Sequence, residues 1–246
     1  MSETRVALIT GSSSGIGAAI ARRMAAEGIN VVVNSTRSET AGKELAAELP
    51  DAVYVQGDVA NPDDARRMVE TAVNAYGRLD ILVNNAGATR FIPLDDLNAA
   101  DADVWRSVFE VNVFGAWQMI TAAVPNLRAS GSGSIVNISS VAGTRALGSS
   151  IPYAVSKASL NHLTRLLAAQ LGPSIRVNAI APGLIETPWY DDAEEVWESS
   201  REWITANAPL RRVGTPQDVA EAALYLVNAA YTTGDVLTVD GGRHIV

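Results

Sequence analysis

Seven short runs rich in β-branched residues alternate with longer helical patterns, and this alternation restricts the fold more than any other feature of the chain. The runs are continuously apolar, which is typical of strands that are buried on both faces of a parallel sheet. Right-handed crossovers then place the intervening helices on both faces. The sequence therefore predicts an α/β fold with a doubly wound, mostly parallel, seven-stranded sheet. The runs read RVALIT, NVVVN, AVYVQGD, LDILVNNAG, GSIVNISS, IRVNAIAPG and GDVLTVDGG.

Residues 1–246 are predicted to form a single domain. The chain length suits one α/β core, and no Pro/Ser-rich linker interrupts the pattern. Apolar residues at helical spacing predict two long helices, one over about Asp101–Arg128 and one over about Tyr153–Leu171. Both are apolar around too much of their circumference for one core-facing stripe, so we expect each to be buried on several faces.

The segment 184–215 departs from the strand–helix rhythm. It contains three of the five tryptophans and seven acidic residues. It follows a predicted strand, and loops at the carboxyl ends of strands form the ligand crevice of a doubly wound sheet. We therefore predict a small helical lid over that crevice, because long connections in compact domains are usually functional. The alternative is a surface excursion that its tryptophans anchor to the core.

Composition excludes several classes of function. The formal net charge of −8 argues against nucleic acid and anionic membranes as partners, since binding them needs clustered cations. The absence of cysteine removes disulfides, thiolate catalysis and cysteine-ligated zinc. No apolar run reaches the length of a signal-peptide core or a membrane span. We expect a cytoplasmic protein with no bound metal, and we interpret acidic runs such as DDAEE as a solvated helix face.

The stretch TGSSSGIG joins the first predicted strand to the first predicted helix. Glycines there permit a tight turn and let backbone N–H groups approach a pyrophosphate at the helix N-terminus. The spacing G-x-x-x-G-x-G differs from the standard G-x-G-x-x-G dinucleotide fingerprint. The stretch alone is therefore a weak signal, and its position after the first strand is what favours a cofactor site.

The stretch YAVSK places Tyr153 four residues before Lys157, so both side chains share one helix face. The chain uses seventeen Arg and only two Lys, which suggests that the compact ammonium of Lys157 matters locally. A phenol has an ordinary pKa of about 10, and a neighbouring cation lowers that pKa by favouring the phenolate. Such a phenol can donate a proton in ketone reduction and accept one in alcohol oxidation.

These two stretches, together with NNAG at 84–87 and IAPG at 180–183, resemble the motifs of the classical short-chain dehydrogenase/reductases. The four motifs occur in the expected order, and the resemblance covers essentially the whole chain. It implies a single-domain Rossmann fold and an oxidoreductase that transfers a hydride between a nicotinamide cofactor and a carbonyl or secondary alcohol. The motifs are specific for the family and much less specific for a substrate.

The resemblance also implies a catalytic tetrad. Tyr153 would be the proton donor and acceptor, and Lys157 would lower its pKa and hold the nicotinamide ribose. Either serine of NISS could polarise the substrate carbonyl, and the usual spacing in the family selects Ser140 over Ser139. Asn112 would interrupt the long helix and support a water that links Lys157 to solvent. The alternative for Asn112 is a satisfied core amide.

The cofactor contacts that the resemblance implies come from five parts of the chain. The glycine loop would cradle the pyrophosphate, the GD pair would flank the adenine, and the NAG residues would line the channel beside it. The segment after the sixth strand would fix the carboxamide. Turn chemistry is the alternative for GD and NAG. The residues are Gly11, Ser12, Ser13, Ser14, Gly15, Ile16, Gly17, Asp58, Val59, Asn85, Ala86, Gly87, Pro182, Gly183, Ile185 and Thr187, in addition to Tyr153 and Lys157.

Ser35, Thr36 and Arg37 follow the second strand, where an NAD enzyme carries an acidic residue that binds the ribose 2′-hydroxyl. No carboxylate is present there to repel a 2′-phosphate, and Arg37 offers a planar charged donor to it. The glycine loop, however, contains none of the basic residues that many NADP-preferring relatives have. We expect NADP(H) to be preferred, with NAD(H) possible.

The substrate is predicted to be a free small ketone or alcohol. Docking an acidic carrier protein needs a basic rim around the cleft, whereas the lid combines the acidic run DDAEE with Arg201, Arg211 and Arg212. The alternative is a 3-oxoacyl-carrier-protein reductase, and a remote alternative is a non-catalytic dinucleotide-binding regulator. Trp189, Tyr190, Trp197 and Trp203 could form an aromatic pocket or anchor the lid. The resemblance implies pairing of the long helices into a homotetramer, with a dimer as the alternative.

Overall fold

The computed structural model describes residues 4–246, and within them seven parallel strands form one sheet in the order β3-β2-β1-β4-β5-β6-β7. The strand order reverses between β1 and β4, so the carboxyl ends of these two strands form the switch point at which such sheets bind ligands. The predicted α/β, doubly wound, seven-stranded sheet is confirmed. The strands are β1 (Val6–Ile9), β2 (Asn30–Ser35), β3 (Ala52–Gln56), β4 (Ile81–Asn84), β5 (Gly133–Ile138), β6 (Ile175–Pro182) and β7 (Val236–Val239).

Helices cover both faces of the sheet. Ala7, Ile9 and Val33 face one apolar cluster, which includes residues of α1, α2 and α8. Leu8 and Val32 face the other cluster, which includes residues of α3, α5 and α6. Burial on both faces explains why most strand positions are apolar. The helices are α1 (Gly15–Ala26), α2 (Glu39–Glu48), α3 (Pro62–Tyr76), α4 (Ala102–Phe109), α5 (Ala116–Ala129), α6 (Ile151–Leu171), α7 (Glu194–Asn207) and α8 (Pro216–Asn228).

The long helix predicted over 101–128 is divided in two. Between α4 and α5 the chain makes a π-helical turn over Glu110–Gly115, with Asn112 buried inside it. Such turns insert an extra residue and occur frequently at functional sites. Gly115 allows the turn to lie close to the loop after β3, because a Cβ at this position would meet Val59 Cγ2 at 2.7 Å. Helical periodicity predicted the helix but not where it widens.

Helix α6 begins at Ile151, two residues before the predicted start. The Ser150 side chain caps it by accepting a hydrogen bond of 3.3 Å from the backbone N–H of Tyr153. Pro152 fits the first turn because the N–H groups there have no intrahelical acceptor. Tyr153 is therefore held in the first, anchored turn of a 21-residue helix.

The two ends of the segment 184–215 are joined to each other beyond the end of β6. Ile185 and Gly214 form a parallel bridge, and Gly214 N donates to Leu184 O at 2.9 Å. Between them lies α7, which packs through Ile204 and Ala208 on a small cluster of its own. The segment is helical as predicted, and its role as a lid stays a prediction.

Helices α5 and α6 do not bury all of their apolar surface within one chain. Trp117 is 45% exposed, Leu166 is 52% exposed, and Phe114 in the π-helical turn is 50% exposed. Large apolar side chains exposed on neighbouring helices are typical of protein–protein contacts. They support the predicted homotetramer, which stays a prediction. Over residues 4–246, no helix combines the length and the apolar character needed to cross a membrane.

Candidate active site

A cleft of about 640 Å³ lies at the carboxyl ends of the strands and brings together most of the predicted site residues. The lining includes both the glycine loop and the YAVSK side chains, although these two motifs are far apart in the sequence. Ser12, Gly17 and Asn112 are the predicted residues outside the lining. The predicted residues that line the cleft are Gly11, Ser13, Ser14, Gly15, Ile16, Ser35, Thr36, Arg37, Asp58, Val59, Asn85, Ala86, Gly87, Ser140, Tyr153, Lys157, Pro182, Gly183, Ile185 and Thr187.

The glycine loop has the conformation that an anion site requires. Gly11 and Gly15 adopt φ values of 60° and 53°, which favour glycine over residues with a side chain. Helix α1 begins at Gly15, and Ser14 at its N-cap makes no side-chain capping bond. The first N–H groups of the helix thus have no intrahelical partner. Gly17 serves close packing, since a Cβ there would lie 2.5 Å from Asn85 Nδ2.

Ser12 faces the protein interior and does not line the cleft. Its hydroxyl donates to Ile9 O at 2.7 Å and accepts from Asn34 N at 2.9 Å. Asn34 was not predicted to matter, yet its buried amide donates to Val55 O and Gly57 O, and its Oδ1 accepts from Gly11 N. Asn34 therefore joins the ends of β1, β2 and β3. A polar amide at the end of a valine run was the available signal, because a buried amide needs partners.

The side chains of the three residues predicted after the second run differ in whether they have hydrogen-bond partners within the protein. The Ser35 hydroxyl is paired with Tyr54 OH at 2.9 Å, and Thr36 donates to Gly57 O at 3.2 Å. Arg37 is exposed at the edge of the cleft and makes no hydrogen bond or ion pair with any residue that the structure describes. Its acidic neighbour Glu39 pairs with Lys43 at 2.6 Å. Arg37 is thus the cation available to a ligand at this edge.

The Asp58 and Asn85 side chains form hydrogen bonds with backbone groups of the protein. Asp58 Oδ1 accepts from Ala60 N at 2.9 Å, as an Asx turn does. Asn85 Nδ2 donates to Thr10 O and Gly11 O at 2.9 Å, which ties β4 to the glycine loop. Turn chemistry and cleft lining therefore coexist at both positions, as the sequence allowed.

Tyr153, Ser140 and Lys157 meet at one end of the cleft. The Ser140 hydroxyl hydrogen-bonds the Tyr153 phenol, whereas the buried Ser139 hydroxyl donates to Lys157 O at 3.2 Å. Lys157 Nζ lies 5.7 Å from the centre of the Tyr153 ring and donates to Ile138 O at 2.9 Å. Of the two candidate serines, Ser140 is the one that contacts the phenol.

The pKa values of this pair are set mainly by burial. Burial lowers the pKa of the Lys157 ammonium to about 8. Burial also raises the pKa of the Tyr153 phenol well above its ordinary value, and the hydrogen bond from Ser140 offsets only part of that rise. The sequence predicted a lowered phenol pKa. The direction is opposite here because desolvation of the phenolate outweighs the favourable contacts, and the ammonium is directed to Ile138 O.

Asn112 is a bridging residue behind the cleft. Its Oδ1 accepts from Ala88 N at 2.7 Å, and its Nδ2 donates to Ala88 O at 2.9 Å and to Ser156 Oγ at 2.9 Å. The amide is therefore fully used, and it fixes the loop after β4 to α6 beside Lys157. The relay role that the resemblance implies for Asn112 stays a prediction.

Aromatic side chains and one arginine line the outer half of the cleft. Trp189 and Tyr153 have ring centres 6.1 Å apart, and Tyr190 lies 5.6 Å from Phe91 and 5.4 Å from Trp197. Arg243, near the end of the described chain, also lines this half. Sequence reasoning missed Phe91 and Arg243, because neither belongs to a motif. The described residues contain no group of three or more His, Cys, Asp or Glu side chains placed to hold a metal ion.

Comparison with known proteins identifies the family. The family model described as enoyl-(acyl carrier protein) reductase matches residues 11–244. A protein of Streptomyces violaceoruber, assigned as ketoacyl reductase 2 of the granaticin polyketide synthase, is 58% identical over 244 residues, which are 99% of this chain and 98% of that protein. The 3-oxoacyl-acyl-carrier-protein reductase of Thermotoga maritima is 40% identical over 247 residues, 98% of each protein.

The structural comparison agrees. A crystal structure assigned as a short-chain dehydrogenase/reductase of Burkholderia xenovorans matches with a TM-score of 0.91 and 38% identity, and the match covers 100% of both chains. The family that the motifs predicted is confirmed. The chain belongs to the classical short-chain dehydrogenase/reductase family and is an oxidoreductase that acts on CH–OH and C=O groups with a nicotinamide cofactor.

Proposed function

We propose that this protein transfers a hydride between NADP(H) and a ketone or secondary alcohol, with Tyr153 as the proton donor and acceptor. The observation that carries the proposal is the convergence of Tyr153, Ser140 and Lys157 at one end of a cleft whose other end is a glycine loop. Such a reaction requires a proton donor, a hydrogen-bond donor to the developing oxyanion, and a binding site for the cofactor pyrophosphate.

The cleft fits a dinucleotide. The positive φ values at Gly11 and Gly15, and the uncapped start of α1, suit a pyrophosphate beside the helix N-terminus. A Cβ at Gly87 would project to 3.6 Å from Trp189 and 3.7 Å from Lys157 Nζ, so glycine keeps open the passage between them. We assign the ribose to Lys157, the adenine to Asp58 and Val59, and the carboxamide to the segment from Pro182 to Thr187.

The protein groups supply proton transfer and charge stabilisation. The bound nicotinamide supplies the hydride to the carbonyl carbon in reduction and accepts it in oxidation. In reduction, Tyr153 gives its proton to the carbonyl oxygen while Ser140 donates a hydrogen bond to the same oxygen. The raised pKa of Tyr153 keeps the phenol protonated at neutral pH, which suits the donor role. In oxidation the steps reverse, and the phenolate form of Tyr153 accepts the alcohol proton as the C=O bond forms.

The preference for NADP(H) is supported by the edge of the cleft at the end of β2. Arg37 is exposed there, without a partner among residues 4–246, and no carboxylate follows β2 directly. A guanidinium can bind a phosphate by two parallel hydrogen bonds. Ser38 also lines this edge at the start of α2, and the Ser35 hydroxyl is paired with Tyr54 OH.

We expect Arg37→Glu to lower kcat/KM with NADPH by about 100-fold, because charge-assisted bonds are lost and a repulsive charge is gained. The value of kcat/KM with NADH should stay within about twofold of wild type, since no 2′-phosphate is present in NADH. Steady-state kinetics with both cofactors measure this ratio. Arg128→Glu, at an exposed position at the end of α5 and outside the cleft, is the matched control. Equal losses with both cofactors would mean that Arg37 does not bind the phosphate.

A 3-oxoacyl thioester is the second candidate substrate. The two relatives described above are named as ketoacyl or 3-oxoacyl reductases, and the first is 58% identical to this chain. The family description names an enoyl reductase instead, which reduces a C=C bond. The position of Ser140 beside the phenol favours an oxygen that becomes an alkoxide, and therefore a ketone over an enoyl group.

A panel of small ketones, 3-oxoacyl thioesters and 2-enoyl thioesters tests the proposed function. We expect oxidation of NADPH with members of the first two groups and not with the enoyl thioesters. Loss of reduced-nicotinamide absorbance measures the rate, and product analysis identifies the alcohol. Turnover limited to enoyl thioesters would overturn the proposal. Binding of NADPH without turnover of any compound would favour the non-catalytic regulator.

We also assign to residues 184–215 the role of a lid over this cleft. Trp189, Tyr190, Val196 and Ser200 of this segment line the cleft directly. The bridge between Ile185 and Gly214 joins the two ends of the segment, and α7 packs on a small cluster formed by the segment itself. An element that rests on a small cluster of its own can open without disturbing the main core.

A further inference from the structure

A tight turn over Arg243–Ile245 brings a guanidinium to the mouth of the cleft. The Asp240 carboxylate holds this turn by accepting from Gly242 N at 2.9 Å, from His244 N at 2.8 Å and from the His244 ring Nδ1 at 2.9 Å. The Asp240 side chain is only 2% exposed. The position of Arg243 between these bonded residues is therefore fixed by the backbone.

The Arg243 guanidinium has an aromatic neighbour and forms no close ion pair within residues 4–246. It lies over the Trp203 ring at 5.6 Å from the ring centre, and it makes no ion pair with any residue that the structure describes. Arg212 of the same region pairs with Asp218 at 2.7 Å. Burial lowers the pKa of Arg243, so its charge is partly removed from water. The Asp240 carboxylate attracts this cation without pairing with it, because its oxygens already accept from Gly242 and His244, so a ligand anion would complete the pairing of Arg243.

The surroundings of Arg243 suit an oxyanion. A second hollow of about 360 Å³ adjoins the cleft, and Arg243 and Ser200 line both. The exposed Arg145 also lines this hollow and adds a second guanidinium, and Ser199 is a further lining residue. Arg243 also lines the main cleft, as do Tyr190 and Tyr153, so an anion bound at Arg243 would share the cleft with the reacting groups.

We propose that Arg243, with Arg145, forms an anion subsite that selects ketone substrates carrying a carboxylate or phosphate away from the reacting carbonyl. The inference rests on the proposed function, because it specifies which ketones the same cleft prefers. The anion would be bound by the Arg243 guanidinium, which itself lies over Trp203, while the carbonyl reaches Tyr153 and Ser140. Arg243 is thus a specificity-determining residue and takes no part in proton transfer.

Oxo acids and their methyl esters provide the test, in a series with increasing spacing between the ketone and the carboxylate. We expect wild type to prefer at least one acid over its ester. Arg243→Gln should lower kcat/KM for that acid by about 10- to 100-fold, mainly through KM, and leave the ester within about twofold. Arg243→Lys should retain part of the preference, and the surface control Arg128→Gln all of it. Equal losses for acid and ester would overturn the proposal and make Arg243 a lid anchor through Trp203.

Two further experiments identify the source of the anion and test anion binding without turnover. In the first, a 3-oxoacyl pantetheine thioester is compared with its 4′-phosphate as substrate. A preference for the phosphate that is lost in Arg243→Gln identifies the phosphopantetheine arm of a carrier, rather than a free oxo acid, as the source of the anion.

In the second experiment, tryptophan fluorescence is titrated with the oxo acids, their esters and inorganic phosphate. Saturable anion binding lost in Arg243→Gln supports the subsite even if no ketone is reduced, in which case only the proposed function fails. No anion preference in any of these measurements overturns the subsite.

Discussion

Replacing Tyr153 by Phe should lower kcat for ketone reduction by about 10³-fold or more, because the proton donor to the carbonyl oxygen is lost. The substitution removes a single oxygen and keeps the ring, whose centre lies 6.1 Å from that of Trp189. The shape of the pocket and the cofactor cradle are therefore unchanged. Single-turnover kinetics with saturating NADPH measure the effect, and fluorescence titration should show an unaltered Kd for NADPH.

Tyr231→Phe is the matched control, since Tyr231 is fully exposed and outside the cleft. It should reduce ketones at the wild-type rate. Ser140→Ala should fall between the two variants, because loss of one oxyanion donor costs about 10²- to 10³-fold in kcat. A wild-type kcat in the Tyr153→Phe variant would contradict the assignment of Tyr153 as the proton donor.

The sequence predicted the sheet because its signal is local and repeated. The buried strands are mainly apolar, and every strand before β7 is followed by a helical pattern, so few other arrangements bury all the runs. The site motifs could be predicted for the same reason: TGSSSGIG and YAVSK each combine unusual residues at fixed spacing. The helix start at Ile151 was missed by two residues, because Pro152 is compatible with a first turn and does not mark its beginning.

The sequence could not separate residues that face the cleft from those that face the core. Ser12 and Ser13 are adjacent and chemically identical, yet only Ser13 lines the cleft. Ser12 is directed to the interior because its backbone N–H and its hydroxyl both bond to the backbone of Asn34. Arg243 is one of many arginines and has no motif around it. Its position depends on the turn around Asp240, which only the three-dimensional arrangement reveals. Contacts between segments that are distant in the sequence determine which residues face the cleft, and no local sequence pattern predicts these contacts.

The ionisation of Lys157 should appear in the pH dependence of the reaction. Its pKa is lowered from the ordinary value to about 8, so the ammonium is charged below that pH and neutral above it. The value of kcat/KM for NADPH reports ionisation in the free enzyme. We expect this parameter to be constant below pH 8 and to fall by about tenfold per pH unit above it, as one required proton is lost. Tyr153 adds no break in this range, because its raised pKa keeps it protonated.

Lys157→Met should lower kcat/KM by about 10²- to 10³-fold and remove the break in the profile, because methionine fills the same space without a titrating group. The variant loses the bond to Ile138 O, but it also relieves the burial of a charge, so a thermal melt should show a folded protein. Lys43→Met is the matched control, since Lys43 is on the exposed face of α2 and pairs only with Glu39 among the described residues. If the break persisted in Lys157→Met, another group would be responsible for it. Lys157 would then act through position alone, and its ammonium could not be the group that sets the pH limit of reduction.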